Sequence, residues 1–477
     1  MSLNLPTKTF TIEDLGTNRS LVTAVSLPSN GTAALLRDNS YGYYLEFYDG
    51  QGNAITQNIN LRTLASNEAS NFSDTGFNIL GLSNGNVLVY YNSINNNDVD
   101  NAYFFVVDSN GNEVVSDTQL NVLTGTSQTR FINAVNLDNG NVAFSYQGSN
   151  NADILSKVIN PINGSTVVNE FKAFAAVGTS TQSIVYSENK IAAGQNGGYV
   201  IITAYHDNVL SPTTGYVVGG TPKLDYKAFS SSGTLLNGAI NVNTLSYNSG
   251  NNVNYKIIPL SDGNYFVAYG SRYGSSYTGK IISSTGTLQS SSVTLPAVWD
   301  SNIAPTFTAG SEGFVILQTS RNPEPAAGAD TSGNVEVTLK HYDNTGALVQ
   351  TYTNVASGPF ILKGYYTPYS SMPSSYRFSI SYNSSYYMYG GYTDGITLVE
   401  TEYTNAATSN GLDGRYTIGA LLFDQGSSGP SISNLDGDTT SYTLGDDTPI
   451  KIDTGTAATV SDGDYTSGSI YFLNDTA

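Results

Sequence analysis

The chain has no cysteine, two histidines, one tryptophan and little charge: 12% of its 477 residues are Asp, Glu, Lys or Arg. That is about half of the ~25% usual for a soluble globular protein. Each shortage excludes a class of chemistry. Without cysteine there is no disulfide framework, no thiolate zinc site and no thiol nucleophile. His206 and His341 lie far apart and form neither an H-E-x-x-H pair nor a three-histidine set. No G-x-S-x-G elbow occurs. The 19 basic residues face 38 acidic ones, for a net charge of −19. This balance removes the basic footprint of sequence-independent nucleic-acid binding, and an anionic membrane surface repels it. No run of about 18 apolar residues exists, so no membrane insertion by a helix is expected. Met1 to Ile12 has neither a basic start nor an apolar stretch, so no Sec signal peptide is expected.

Glycine (48), tyrosine (35), asparagine, serine and threonine fill the place of charge. They are arranged in a repeat. A Leu-x-(Asn/Asp)-Gly turn is followed by an alternating strand, then later by a second strand, a Gly-containing turn and a further strand. The first-turn glycines are Gly31, Gly85, Gly140, Gly197, Gly263 and Gly313, spaced 54, 55, 57, 66 and 50 residues apart. Asn-Gly and Asp-Gly supply the positive φ that two-residue hairpin turns require. In the strand after Gly140, Val142, Phe144 and Tyr146 share one face; Phe104 and Val106 do so in the preceding repeat. No stretch carries a 3.6-residue apolar period. A seventh, degenerate copy spans Tyr376–Tyr382, a strand from Tyr386, and Ile418–Asp424.

Four-stranded units repeated about seven times predict an all-β fold, a β-propeller of about seven blades over residues 1–424. Lys8 to Ile12 alternate as well and are candidates to lie beside the last unit and close the ring; Val22, Ala24 and Val25 are candidates to open the first. Residues 425–430 (Gln-Gly-Ser-Ser-Gly-Pro) have the composition of a linker. From Ser431 to Ala477 there are eight Asp, no Glu and a single Lys, a net of −7. That segment is too short for an independent sandwich.

The tail carries a resemblance. Asn434 to Asp446, with Leu435-Asp436-Gly437-Asp438, Tyr442 and Gly445-Asp446, resembles the opening of cadherin-like modules. These occur in bacterial type I-secreted surface proteins and adhesins of the RTX kind. The likeness continues through Ile450 to Asp453, Ala458 to Asp464 and Gly468 to Tyr471, and over residues 431–477 implies a partial C-terminal β-sandwich. It implies calcium at junctions between modules. The aspartates at alternate positions, Asp436 and Asp438, Asp462 and Asp464, are the candidate ligands, since calcium takes six to eight oxygens; a plain Asp-Gly-Asp turn is the competing reading. The RTX nonapeptide itself is absent. In the repeat region, Asp108 to Glu113 looks like a calcium loop but lacks Gly at its sixth position and has Gln119 at its twelfth, which favours a hairpin turn.

Catalytic motifs are missing. The Ser-x-Asp-x-Gly-x-Thr-Trp box of sialidase propellers is absent, Trp299 being the sole tryptophan. His341 reads as a strand residue, and His206 as the end of the strand Tyr199–Tyr205. The acids lie mostly in turns, although a carboxylate pair brought together by folding is invisible in sequence. Tyrosine is concentrated between Tyr365 and Tyr392, and neighbours such as Tyr365-Tyr366 and Tyr386-Tyr387 cannot both point inward from one strand. Tyr365, Tyr366, Tyr386, Tyr387 and Tyr389 are therefore a candidate binding surface for a glycan, a protein on a cell surface, or a second copy. The expectation is a non-enzymatic adhesion or surface-assembly module, secreted or on a bacterial cell surface. A polysaccharide-active propeller enzyme, glycosidase or lyase, is the alternative.

Overall fold

A computed structural model describes the strands and most tight turns between residues 3 and 423, and two short strands, Ser431–Ser433 and Thr459–Ser461. Residues 363–378, 383–394, 424–430, 434–458 and 462–477, with shorter connecting segments, lie outside the described residues.

The chain is a β-propeller. The described strands form seven sheets of four or five strands and one of two. The first long strands of the seven are Arg19–Ser26, Asn78–Gly81, Arg130–Asn136, Gln182–Ala193, Val253–Pro259, Asn302–Thr306 and Ser379–Tyr382. Each touches the first strand of the sheet before and after it, and the last touches the first, so the sheets surround an axis. The seventh sheet takes its outermost strand from the N-terminus: Leu3–Ile12 pairs antiparallel with Asp413–Phe423, Lys8 opposite Ala420 and Ile12 opposite Tyr416. The alternation of Lys8 to Ile12 is thus used to join the N-terminal segment to the seventh sheet and close the ring, and Val22 to Val25 open the first sheet. Among the described residues the helical elements are one turn, Leu61–Leu64, capped by Asn60, and a 3-10 turn at Gln195–Gly197.

Antiparallel succession sends every first-to-second and third-to-fourth turn to one end of the ring. The second-to-third and sheet-to-sheet connections go to the other. The turns differ from the two-residue hairpins expected. Leu82 N–H donates to Asn86 O and Gly85 N–H to Leu82 O, with Gly85 at φ 85°. The same bonds recur at Leu137–Asn141 and Leu260–Asn264. These are three-residue loops, a turn followed by one left-handed glycine. Asp108 takes up its own turn: its carboxylate accepts from Asn110 N at 2.9 Å and from Asn112 N at 2.8 Å. Slight burial pulls its pKa up, and the bonds from Asn112 and Asn110 outweigh that and hold it below the usual carboxylate range.

Alternation along each strand separates two sheet interfaces rather than core from solvent. Phe144 and Tyr146 pack towards the second sheet with Leu88, Phe104 and Val106. Ala143, between them, packs towards the fourth with Tyr199, Ile201 and Phe229. Val142–Gln147 and Ile154–Ile159 are consequently buried throughout. Burying one such Phe contributes roughly 1.5–3 kcal/mol. A lysine at one position of the third strand ties each of three sheets to the one before. Lys157 Nζ donates to Leu120 O at 2.9 Å, Lys227 Nζ to Ala173 O at 2.8 Å and Lys280 Nζ to Val242 O at 2.8 Å. Lys227 also lies 4.5 Å from the Phe174 ring centroid.

Candidate functional site

Counting back four residues from the first turn of each sheet reaches Thr23, Asn78, Asn133, Lys190 and Lys256 in the first five sheets. All are polar and at least partly exposed, whereas Val135, Ala192 and Ile258, two residues nearer the turn, are buried. The five stand at one level of the innermost strands, the edge of each sheet nearest the axis, and form a polar belt there.

Just beyond the belt, towards the connection-bearing end, three of these strands bulge. The register slips by one residue between Leu21 and Thr23, between Arg130 and Asn133, and between Tyr186 and Asn189. A bulge re-aims the side chains beside it. Val22 is 44% exposed and Phe131 46% exposed at two of these bulges. Phe131 has φ 51°, a left-handed backbone that a bulky residue occupies only when its surroundings impose it.

The surroundings that impose it are two asparagines. The carbonyl of Phe131 accepts from Asn133 Nδ2 at 2.9 Å and from Asn189 Nδ2 at 2.9 Å. Asn133 Nδ2 also donates to Asn189 O at 2.9 Å. Asn189 Oδ1 accepts from Asn133 Nδ2 at 3.1 Å and from the Ser145 hydroxyl. Asn189 is fully buried at the position where Phe77, Ile132 and Tyr255 fill the corresponding place in other sheets. Burying an amide there instead of a ring is costly unless every bond is made. Asn92 Nδ2, from the second sheet, donates to Thr129 O and fixes the segment entering the bulge. An exposed ring held in place by buried amide bonds, at the connection-bearing end of an innermost strand, is a surface on which a ligand can stack.

Lys190 and Lys256 complete the site. They occupy matching places on neighbouring innermost strands. Burial, and then the charge of Lys190, push the Lys256 ammonium down to about 8.

Four described carboxylates on strands, buried or half-buried, stand apart from one another. Glu46 bonds Tyr48 Oη at 2.6 Å, Asp117 bonds Tyr91 Oη at 2.7 Å, and Glu170 bonds Tyr146 Oη. With Asp225 beside Lys227, they lie in four successive interfaces between sheets, one each. Burial, then the charge and hydrogen bond of Glu170, hold the Tyr146 phenol far above its usual range, which makes this pair structural. Turns are therefore not the only place acids occupy. His341 is a buried strand residue opposite Val315 and Gln350, as its sequence context suggests. His206 stands inside Tyr199–Leu210, opposite Val185 and Pro222, rather than at a strand end.

Tyr365, Tyr366, Tyr386, Tyr387 and Tyr389 lie outside the described residues, and so do Asp436, Asp438, Asp462 and Asp464. Among the described residues no group of His, Asp or Glu gathers to hold a metal ion, and no helix is long and apolar enough to cross a membrane. The Phe131–Asn133–Asn189 cluster and the lysine pair were not singled out in the sequence. Aligning the repeats on their first turns brings the polar belt into register, whereas the backbone strain at Phe131 leaves no sequence signal.

No protein-family model and no curated protein matches the chain. Solved structures with a similar course of chain include a GH93 α-L-arabinofuranosidase of Fusarium graminearum with arabinobiose. It is 10% identical, covers 66% of this chain and 93% of its own, and has a TM-score of 0.40. An α-L-arabinanase of Penicillium chrysogenum, also with arabinobiose, is 11% identical over 71% and 96%, with a TM-score of 0.38. The SapL1 lectin with α-methyl fucoside is 12% identical over 77% and 98%, with a TM-score of 0.34. These likenesses transfer no residue role. They do correct the expectation of a non-enzymatic chain. That expectation rested on missing motifs, and the similar structures include glycoside hydrolases. A glycosidase needs carboxylates brought together by folding, which no short motif has to announce.

Proposed function

We propose that this chain is a polysaccharide-active β-propeller that takes up a glycan at the connection-bearing mouth of its channel, with Phe131 as the stacking platform. The observation that carries this reading is Phe131 itself. It is a large ring left 46% exposed, on a backbone at φ 51° held by two asparagine side chains. Strain of this kind costs of order 1–3 kcal/mol and persists where the surroundings over-determine it. Pyranose and furanose faces carry C–H groups that pack on an aromatic ring, while their hydroxyls exchange hydrogen bonds with amides. Arabinobiose and a fucoside are the carbohydrates named with the similar structures, so arabinan belongs among the first polymers to try.

The test is retention and cleavage. The full chain is run against arabinan, galactan, dextran, polygalacturonate and dextran sulfate in affinity gels, and the products are assayed for new reducing ends and for unsaturated ends. Retention by at least one polymer, lost in Phe131→Ala, is expected. No retention and no product with any polymer contradicts the proposal. A secreted or cell-surface setting belongs to the same reading, supported by the low-charge, cysteine-free composition. So does calcium at Asp436, Asp438, Asp462 and Asp464, supported by their alternate spacing. A rise in melting temperature between EDTA and millimolar calcium, lost when Asp436 and Asp438 become Asn, is the result expected.

A further inference from the structure

We infer that Lys190 and Lys256 form an anion subsite in the channel, which takes the carboxylate or sulfate groups of an acidic polysaccharide entering past Phe131. The inference rests on the proposed function above and narrows its substrate class.

Three features of the fold carry it. The two lysines stand at the same place on neighbouring innermost strands, Lys190 opposite Ile202 and Lys256 opposite Ala268, so both residues belong to one belt, and Lys256 feels the charge of Lys190. The belt positions on the three preceding sheets hold Thr23, Asn78 and Asn133, which supply hydrogen bonds and no charge. Among the described residues no carboxylate forms an ion pair with either lysine; the ion pair found there is Lys172 with Asp153, at 2.7 Å on another strand. The chain has 38 acids and 19 bases, so two bases at matching places on adjacent inner strands run against its overall charge.

The cost of the arrangement supports a purpose. Like charges in a half-buried place repel and are poorly hydrated, and the lowered pKa of Lys256 reports both effects. The fold has a better use for lysine elsewhere. Lys157, Lys227 and Lys280 each donate to a carbonyl of the preceding sheet, and Lys157 and Lys227 also feel a nearby acid, Glu170 and Asp225. Lys190 and Lys256 have no such described partner. An anion between them would meet two charge-assisted hydrogen bonds and relieve the repulsion. A uronate carboxylate and a sulfate ester share that chemistry.

Affinities of the full chain for polygalacturonate, dextran sulfate, arabinan and dextran are measured by calorimetry at constant ionic strength. Thermal shifts with sodium sulfate and sodium acetate accompany them. The variants are Lys190→Gln, Lys256→Met, Lys256→Arg and Phe131→Ala. An acidic polymer is expected to bind at least about tenfold more tightly than the neutral ones. Lys190→Gln and Lys256→Met should remove that advantage, while Lys256→Arg keeps it. Preference for polygalacturonate assigns a carboxylate, and preference for dextran sulfate a sulfate ester. Neutral polymers binding as tightly as acidic ones, through Phe131, would overturn the subsite and leave the polysaccharide reading standing. If no polymer binds, the polysaccharide reading fails; the subsite then stands only if sulfate or acetate alone raises the melting temperature through both lysines, and otherwise falls with it. Acidic binding that persists unchanged in both lysine variants also overturns the subsite.

Discussion

The two ends of the ring are built from the same strands and behave as opposites. At the turn-bearing end, polar groups close on themselves. Asp108 and Asp343 accept the backbone N–H groups of their own turns, and Ser230 and Ser283 do the same with hydroxyls. Glycines, with Asn196 beside Gly197, take the positive φ values there. Little is left over to recognise a ligand. Towards the connection-bearing end a positive φ falls on Phe131, asparagines hold a carbonyl instead of a turn, and two partly exposed lysines stand at matching places on adjacent inner strands without a described partner. Local hydrogen bonds satisfy the first end and leave the second with ring and ammonium groups to offer. One end specifies the fold, and the other carries the features that a fold does not need.

Substitutions at the two ends should separate those roles. The largest effect belongs to the turn-bearing end. A Cβ on Gly313, at φ 135°, would stand 2.0 Å from the Tyr342 carbonyl oxygen, which cannot swing away as a side chain would. Gly313→Ala should cost about 3 kcal/mol or more in urea unfolding. Gly85→Ala meets nothing within 4 Å and should cost only about 1 kcal/mol, the left-handed strain alone. Similar losses for both would show that close packing at the turn end is not the issue.

Lys256→Met should act in the opposite direction. The folded-state pKa of Lys256 lies near 8, below its ordinary value of 10.5. Below pH 8 the lysine is charged in both states, and the folded state carries the full penalty. Between pH 8 and 10.5 the unfolded chain binds the extra proton, so stability from this group rises with pH, and above 10.5 the penalty is gone. At pH 7 the variant should be about 1–2 kcal/mol more stable, allowing for screening of a half-buried group. That gain should shrink as pH is raised to 10.5. A variant less stable at pH 7 would mean that the lysine is a structural partner like Lys157.

Asp108→Ala is the smallest change expected, roughly 0.5–1 kcal/mol for an exposed turn. Its melting temperature should respond to calcium as the parent chain does. A calcium response lost in this variant would make the turn a metal site after all.

Much of this comparison could be read before folding. The Asn-Gly and Asp-Gly spacings gave the repeat because a turn needs a glycine at one fixed place, and Lys8 to Ile12 showed the alternation of a strand lacking a local partner. What escaped was relational. Glu46, Asp117, Glu170 and Asp225 look like surface acids until the ring places one in each of four successive interfaces. Asn189 looks like any asparagine in an Asn-rich chain, yet it fills a place that Phe77, Ile132 and Tyr255 fill elsewhere. The register slips at Leu21, Arg130 and Tyr186 follow from pairing between strands, which no single strand encodes. The tyrosines from Tyr365 to Tyr389 were conspicuous by number, whereas the strained ring at Phe131 was one of 18 phenylalanines.

The most direct measurement pairs stability with binding in Phe131→Gly. Glycine occupies φ 51° without strain and removes the ring while leaving the carbonyl that Asn133 and Asn189 hold. The variant should melt at or above the temperature of the parent chain and bind glycan at least about tenfold more weakly, as expected when a stacking aromatic is lost. A variant that melts clearly earlier, or that binds its glycan unchanged, would contradict the claim that this end of the propeller is shaped for a ligand.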